Sequence, residues 1–385
     1  MEDNKPKLLI CYHSAEYGGV EKQILDIVRG LSSDFSITVV CPKGSLVRDY
    51  IITGANHVDL KPRFEADLIY SFKIFKLVKQ RKFDIVHSHE LMTGSLAVFG
   101  AWLAGCPKRV YHVHTPFSQW KHTGIKKLPA MIANTSVNFL AGNIFATDVI
   151  ALTPAIRDIR IKREFICGQK IRVIPNGIDL EKFLFSQKER ERIRKKWELD
   201  NKVFVIGNVG RFTEEKGHYV LIRAFRDFLK KVKNPAKYRL VLAGGGKLLE
   251  DVEKKAGKMG MKDKIIFTGF FDEDDKNGIL SSFDLFVMPS FAEGFGISLI
   301  EAMANSRPCL VSDILVFKDV GGNSIKYFKA GSSEDLSSLL LSFCLDNLGL
   351  EKYSYLAKSK SQEYSIERFW QNYRSLYLSV FSTKL

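Results

Sequence analysis

The densest chemistry in this chain lies in Pro289-Ser290-Phe291-Ala292-Glu293-Gly294-Phe295-Gly296-Ile297-Ser298-Leu299-Ile300-Glu301. Two carboxylates, Glu293 and Glu301, flank a turn built on Gly294 and Gly296. A carboxylate accepts hydrogen bonds from hydroxyl groups, so one could take a sugar and the other a ribose. Glycine backbone approaches a ligand closely, and the amides that open a helix favour phosphates. A second set is Gly210-Arg211 followed by Glu214-Glu215-Lys216-Gly217. Two cations at a helix start suit a diphosphate, although taken alone the set is better explained as a solvated charged loop. The third set, Tyr17-Gly18-Gly19-Val20-Glu21, is another glycine turn that opens a helix. It lacks the GxGxxG spacing, so a nucleotide-redox reading is poor.

Other clusters imitate sites. Gly244-Gly245-Gly246-Lys247 lacks the GxxxxGK[ST] spacing of a phosphate loop and reads as a strand-to-helix turn. Asp272-Glu273-Asp274-Asp275 could hold a divalent cation, but acids just before a helix more simply complement its dipole. His87 and His89 end one strand, and His112 and His114 follow the same pattern in another. Alternation puts each pair on one side of its strand, and no acid stands between them at metal spacing. No metal site is therefore expected. Cys11, Cys41, Cys106, Cys167, Cys309 and Cys344 form no CxxC pair. Most read as small buried hydrophobes in a reducing compartment.

The elements that position these residues alternate. Lys7–Tyr12, Ile37–Cys41, Phe83–His87, Arg109–Val113, Val149–Leu152 and Ile171–Ile174 are short apolar runs, as buried parallel strands require. Gly19–Leu31 carries Val20, Ile24, Val28 and Leu31 at helical spacing. Pro175-Asn176-Gly177 makes a turn, and Lys188–Lys196 reads as a charged surface helix. The alternation then restarts with Val203–Asn208, Leu240–Ala243, Ile265–Thr268, Leu285–Met288 and Pro308–Ser312. Two doubly wound α/β domains in series follow, with chemistry beyond the carboxyl ends of their strands and a cleft between them. The length of 385 residues agrees with roughly two domains of about 150 each.

A composition of 45% hydrophobic and 26% charged residues excludes intrinsic disorder for most of the chain. The N-terminus has acidic residues and only a short apolar run, unlike a signal peptide. Leu91–Gly105 is the most apolar window and is too short for a span of about 20 residues. A cytoplasmic protein is expected. The net charge of +15 points to an anionic partner: nucleic acid, a membrane surface or a phosphate-bearing substrate. No helix-turn-helix, zinc or ribonucleoprotein pattern supports nucleic acid.

Taken together, these motifs resemble a retaining GT-B glycosyltransferase of family 4, the group that shares the "glycosyl transferases group 1" domain. The resemblance rests on Gly18-Gly19-Val20-Glu21, Pro175-Asn176-Gly177-Ile178-Asp179, Val209-Gly210-Arg211 with Glu215-Lys216-Gly217, and the Glu293–Glu301 pair. It implies two facing Rossmann-like domains: an acceptor-side domain over 1–182 and a donor domain over 183–364. A C-terminal helix, 365–385, is then expected to cross back, with Trp370 near its start. The resemblance further implies that Glu293 contacts the donor sugar and Glu301 the ribose. Arg211 and Lys216 neutralise the leaving diphosphate, and Gly18 and Gly19 approach it. Gly294, Phe295, Gly296, Ser298 and Leu299 complete the donor loop. His114 falls near the anomeric centre. No metal or other cofactor is implied; the donor is a nucleotide diphosphate-sugar substrate. Ile314-Leu315-Val316-Phe317-Lys318-Asp319 departs from the family's Gly-x-Pro-Glu segment. The Gly-x-Leu-Val strand is likewise altered, to Ile325-Lys326-Tyr327-Phe328.

The acceptor has its own signal. Leu68, Phe72 and Phe75 share a helical face among Lys73, Lys76, Lys79, Arg81 and Lys82. That pattern suits an anionic membrane interface, with an ordinary packed helix as the alternative. Trp120, Lys121, His122, Lys126 and Lys127 add an aromatic and basic loop. The expected acceptor is a lipid-linked glycan or glycolipid, reached at the inner face of the cytoplasmic membrane. A sugar-nucleotide epimerase and a non-catalytic partner subunit of a glycan-assembly complex are the rival readings.

Overall fold

The computed structural model describes residues 5–16, 18–64, 66–116 and 128–382. The chain divides into two units, Met1–Gly177 with Ile366–Leu385, and Ile178–Ser365. The division falls before Ile178 rather than after residue 182. Ile178 bridges to Ser365, and its amide donates to Tyr364 O at 2.9 Å, which ties it to the second unit.

The first unit holds a parallel sheet of seven strands: β1 Lys7–Cys11, β2 Ser36–Cys41, β3 Asn56–Asp59, β4 Ile85–His89, β5 Lys108–His112, β6 Asp148–Ala151 and β7 Ile171–Val173. Their order is β3-β2-β1-β4-β5-β6-β7. Leu8 to Cys11 are wholly buried, as a strand covered on both faces demands. β3 was not expected. As an edge strand reading Asn-His-Val-Asp, it has no apolar run to give it away.

The second unit holds six parallel strands: β8 Phe204–Val209, β9 Tyr238–Ala243, β10 Ile265–Phe267, β11 Leu285–Met288, β12 Cys309–Ser312 and β13 Lys326–Phe328. Their order is β10-β9-β8-β11-β12-β13. In both sheets the order reverses at one place, between β1 and β4 and between β8 and β11. Ligands of doubly wound sheets bind outside the carboxyl ends of the strands at that switch point. The glycine turn at Gly18 follows β1, and the Gly210–Gly217 loop follows β8. The Glu293 loop follows β11.

The final helix, Ile366–Ser382, belongs to the first unit and packs on the Gly19–Leu31 helix. Trp370 anchors it by donating from Nε1 to Asp26 O at 2.7 Å. Its own Tyr373 and Tyr377 are wholly buried. Among the described residues, no helix is long and apolar enough to cross a membrane. Cys11, Cys41, Cys106 and Cys309 are buried as read from sequence; Cys167 is exposed and Cys344 half-buried.

Candidate active site

The two loops at the second unit's switch point are fastened by backbone. Phe291 N donates to Glu215 O at 2.7 Å. Gly217 has φ +67, and a Cβ there would run into Pro289 O, so only glycine permits this approach. The result brings Lys216 and Glu293 together: Nζ lies 2.5 Å from Oε1. Ser290 donates its hydroxyl to the same oxygen at 2.8 Å. Lys216 is 18% exposed and Glu293 8%, so the pair is sheltered yet reachable. Arg211 is exposed and makes no ion pair with another described residue. The Lys216 ammonium beside the Glu293 carboxylate can neutralise an arriving diphosphate while the carboxylate takes hydroxyl groups.

Glu301 lies in the Ile297–Ala304 helix and is wholly buried. Its Oε1 accepts from Lys276 Nζ at 2.8 Å, and its Oε2 has no hydrogen-bond partner among the described residues. Lys276 and Ser290 escaped the sequence reading. Lys276 stands in a run of polar residues and reaches Glu301 only through the fold. The acidic run before it is a set of ion pairs: Asp275 meets Arg192 at 2.6 Å and Lys196 at 3.2 Å.

Within the glycine-rich loop, Gly294 and Ser298 are half-buried. Phe295 is buried edge-on against Tyr364, and Leu299 is a core side chain. The Leu299 amide is engaged by Gly296 O at 3.0 Å, which leaves the earlier amides of that turn to a ligand. The divergent Ile314–Asp319 segment contributes to the Leu315–Gly321 helix, and its buried Phe317 ring packs against Gly296.

Gly18 and Gly19 are exposed at the start of the Gly19–Leu31 helix, with open space on the Cβ side of Gly19. His114 is 8% exposed and sits against His89, Nε2 to Nδ1 at 3.0 Å. Because β4 and β5 are parallel neighbours, the two one-sided histidine pairs share a face and merge into one cluster. The His112 and His114 ring centroids are 3.9 Å apart. Tyr377 bonds His87, and Tyr373 bonds His112. Burial drives His87 and His114 down to about 3, with His114 also depressing His87 and Arg160 depressing His114. One ring nitrogen each from His87, His89 and His112 lies within 4.8 Å of the others. Three imidazole nitrogens at that spacing could hold a metal ion, and the same rings also stack on one another. Tyr17 and the loop residues Trp120, Lys121, His122, Lys126 and Lys127 lie outside the described residues.

This arrangement matches known proteins over most of its length. The family model described as Glycosyl transferases group 1 covers residues 189–362, and Glycosyltransferase Family 4 covers 17–182. The chain belongs to the GT-B glycosyltransferases. Among curated glycosyltransferases, it is 29% identical to the Escherichia coli UDP-Gal:alpha-D-GlcNAc-diphosphoundecaprenol alpha-1,3-galactosyltransferase, over 74% of this chain and 73% of that protein. It is 25% identical to the alpha-monoglucosyldiacylglycerol synthase of Streptococcus pneumoniae, over 80% of this chain and 69% of that one. Among solved GT-B folds, Anabaena Alr3699/HepE in complex with UDP and glucose superposes with a TM-score of 0.83. That match has 19% identity and covers 97% of this chain and 100% of the other. WaaG, a glycosyltransferase involved in lipopolysaccharide biosynthesis, gives 0.75 at 16% identity, covering 96% and 98%.

Proposed function

We propose that this glycosyltransferase moves a sugar, with retention of its anomeric configuration, from a nucleotide diphosphate-sugar to a hydroxyl of a lipid-linked glycan or glycolipid. The observation that carries the donor half is the contact between Lys216 and Glu293, which joins a diphosphate-binding cation to a sugar-binding carboxylate. Breaking the bond between sugar and nucleotide builds negative charge on the leaving phosphate. Lys216, Arg211 and the first-turn amides near Gly296 stabilise that charge in place of a metal ion. Glu293 holds the sugar, and Glu301 offers its unpartnered Oε2 to the ribose. The family resemblance assigns His114, neutral through burial, to the anomeric carbon, and the Gly18 and Gly19 amides to the diphosphate. A phosphate oxygen takes the acceptor's proton on the leaving-group face. Because UDP occupies the HepE neighbour and UDP-galactose serves the Escherichia coli relative, a uridine donor is the first choice.

The acceptor half draws on the relatives' lipid substrates and on the Leu68–Arg81 helix. Leu68 is 66% exposed, and Ile69 and Phe72 are exposed beside it; Tyr70, Ile74 and Val78 face the core. Lys73, Lys76 and Lys79 surround the outward apolar face. An exposed apolar strip rimmed by lysine suits an anionic lipid surface, here the inner face of the cytoplasmic membrane.

A thermal-shift panel of UDP-, GDP- and ADP-sugars tests the donor reading, because a bound ligand raises the melting temperature by mass action. One nucleotide class should stabilise the protein, and proton NMR of the product should give the donor's anomer. No shift with any donor, or an inverted product, would overturn the proposal.

A further inference from the structure

Glu90 follows β4 directly and therefore stands at the first unit's switch point, opposite the Gly18 turn after β1. Its backbone is at φ 70° and ψ 164°, a region that is essentially glycine's alone. The conformation is held from two sides. Glu90 N donates to His112 O at 2.9 Å, and Glu90 O accepts from Gly94 N at 3.1 Å. Capping does not explain it. Glu90 is the N-cap of the Leu91–Leu103 helix, yet its side chain makes no capping bond. An N-cap that serves its helix is extended, with negative φ, and turns its side chain to the first amides. Here the strain aims the carboxylate elsewhere. That carboxylate is half-buried and has no hydrogen-bond or ion-pair partner among the described residues.

The surroundings choose the ligand's chemistry. Glu21 lies close enough to raise the Glu90 pKa; burial does more, and Arg160 opposes both, leaving it about 7. Arg160 itself is wholly buried and committed to Glu164 at 2.9 Å and to Val113 O. Two carboxylates here have their nearest cation already engaged. They suit a neutral group that donates hydrogen bonds. We propose that Glu90 binds the acceptor, its carboxylate accepting a hydrogen bond from an acceptor hydroxyl. The inference rests on the glycosyltransferase reading and adds the residue that orients the acceptor. Strain stored in a backbone is retained at sites where function requires the side chain's direction.

The test measures UDP release from UDP-galactose and UDP-glucose. α-D-GlcNAc-diphosphoundecaprenol and diacylglycerol, each in anionic vesicles, serve as acceptor probes. Glu90→Gln should lower acceptor kcat/KM by about tenfold, because a neutral amide oxygen accepts from a hydroxyl more weakly than a carboxylate does. Its affinity for UDP should stay within about twofold of wild type, because no donor contact is removed. Glu90→Gly relieves the backbone, so it should lose acceptor kcat/KM while its Tm stays at or above that of wild type. Unchanged acceptor kinetics in both variants would overturn the proposal. So would a parallel loss of UDP affinity, or a lower Tm for Glu90→Gly. Wild-type protein that binds no nucleotide, or transfers to neither probe, would instead overturn the functional reading itself, before any variant is compared.

Discussion

Lys216 and Glu293, 77 positions apart in the chain, meet at 2.5 Å because two strand-end loops are fastened backbone to backbone. Without a ligand, each neutralises the other. A diphosphate would compete with Glu293 for the ammonium and free the carboxylate for the sugar. Lys216→Ala should therefore cut turnover by about a hundredfold or more, as loss of a charge-stabilising donor does in other enzymes. Steady-state kinetics on folded protein checks this, and a near-normal rate would remove Lys216 from the mechanism.

Lys276 is the partner that keeps Glu301 tolerable in the core. Removing it strands a wholly buried carboxylate. Lys276→Ala should cost about 3 kcal/mol of stability, within the usual range for breaking a buried pair. Glu301→Gln keeps the shape and loses the charge, so it should be milder on stability while weakening donor binding. Urea unfolding of the two variants side by side gives the comparison. Equal stability in wild type and Lys276→Ala would show that the pair does not matter.

The buried imidazoles make folding sensitive to mild acid. His87 and His114 titrate near 3 when folded and near the ordinary 6.5 when unfolded. Above 6.5 both states are neutral and the full stability is present. As pH falls from 6.5 toward 3, the unfolded chain takes protons that the folded one refuses, so stability is lost across that window. Each such histidine contributes a slope of about 1.4 kcal/mol per pH unit. Unfolding midpoints between pH 7.5 and 5 should fall, and fall less steeply in His114→Gln. A flat profile would contradict the burial of the cluster.

The Leu68–Arg81 helix makes a separable prediction. Phe72 is exposed, stacks on Phe75 at 5.8 Å and lies beneath Lys76 Nζ at 4.7 Å. Phe72→Glu should abolish co-sedimentation with anionic vesicles at low salt and leave the thermal shift by a nucleotide-sugar unchanged. Equal vesicle binding by wild type and variant would place the membrane contact elsewhere.

Much of this was legible in the residues. Buried parallel strands announce themselves as apolar runs, and the strands flanking both switch points were found that way. Edge strands do not: β3 reads Asn-His-Val-Asp because one of its sides has no neighbour. The places of the Gly210–Gly217 and Glu293 loops after β8 and β11 were legible from glycine and charge following an apolar run. Their partners were not. Lys276 and Ser290 are ordinary polar residues until folding sets them against Glu301 and Glu293. The histidine cluster needed the strand order, which periodicity does not supply. Glu90 was not singled out because a lone glutamate after a strand gives no sign of the positive φ it adopts.

Hydrogen exchange with and without UDP tests the central claim most directly. Bound nucleotide should slow exchange at the amides of 210–217 and 289–301, the segments that bring Lys216 and Glu293 together and carry Glu301. Protection confined to other segments, with those two loops unaffected at saturating UDP, would contradict the account.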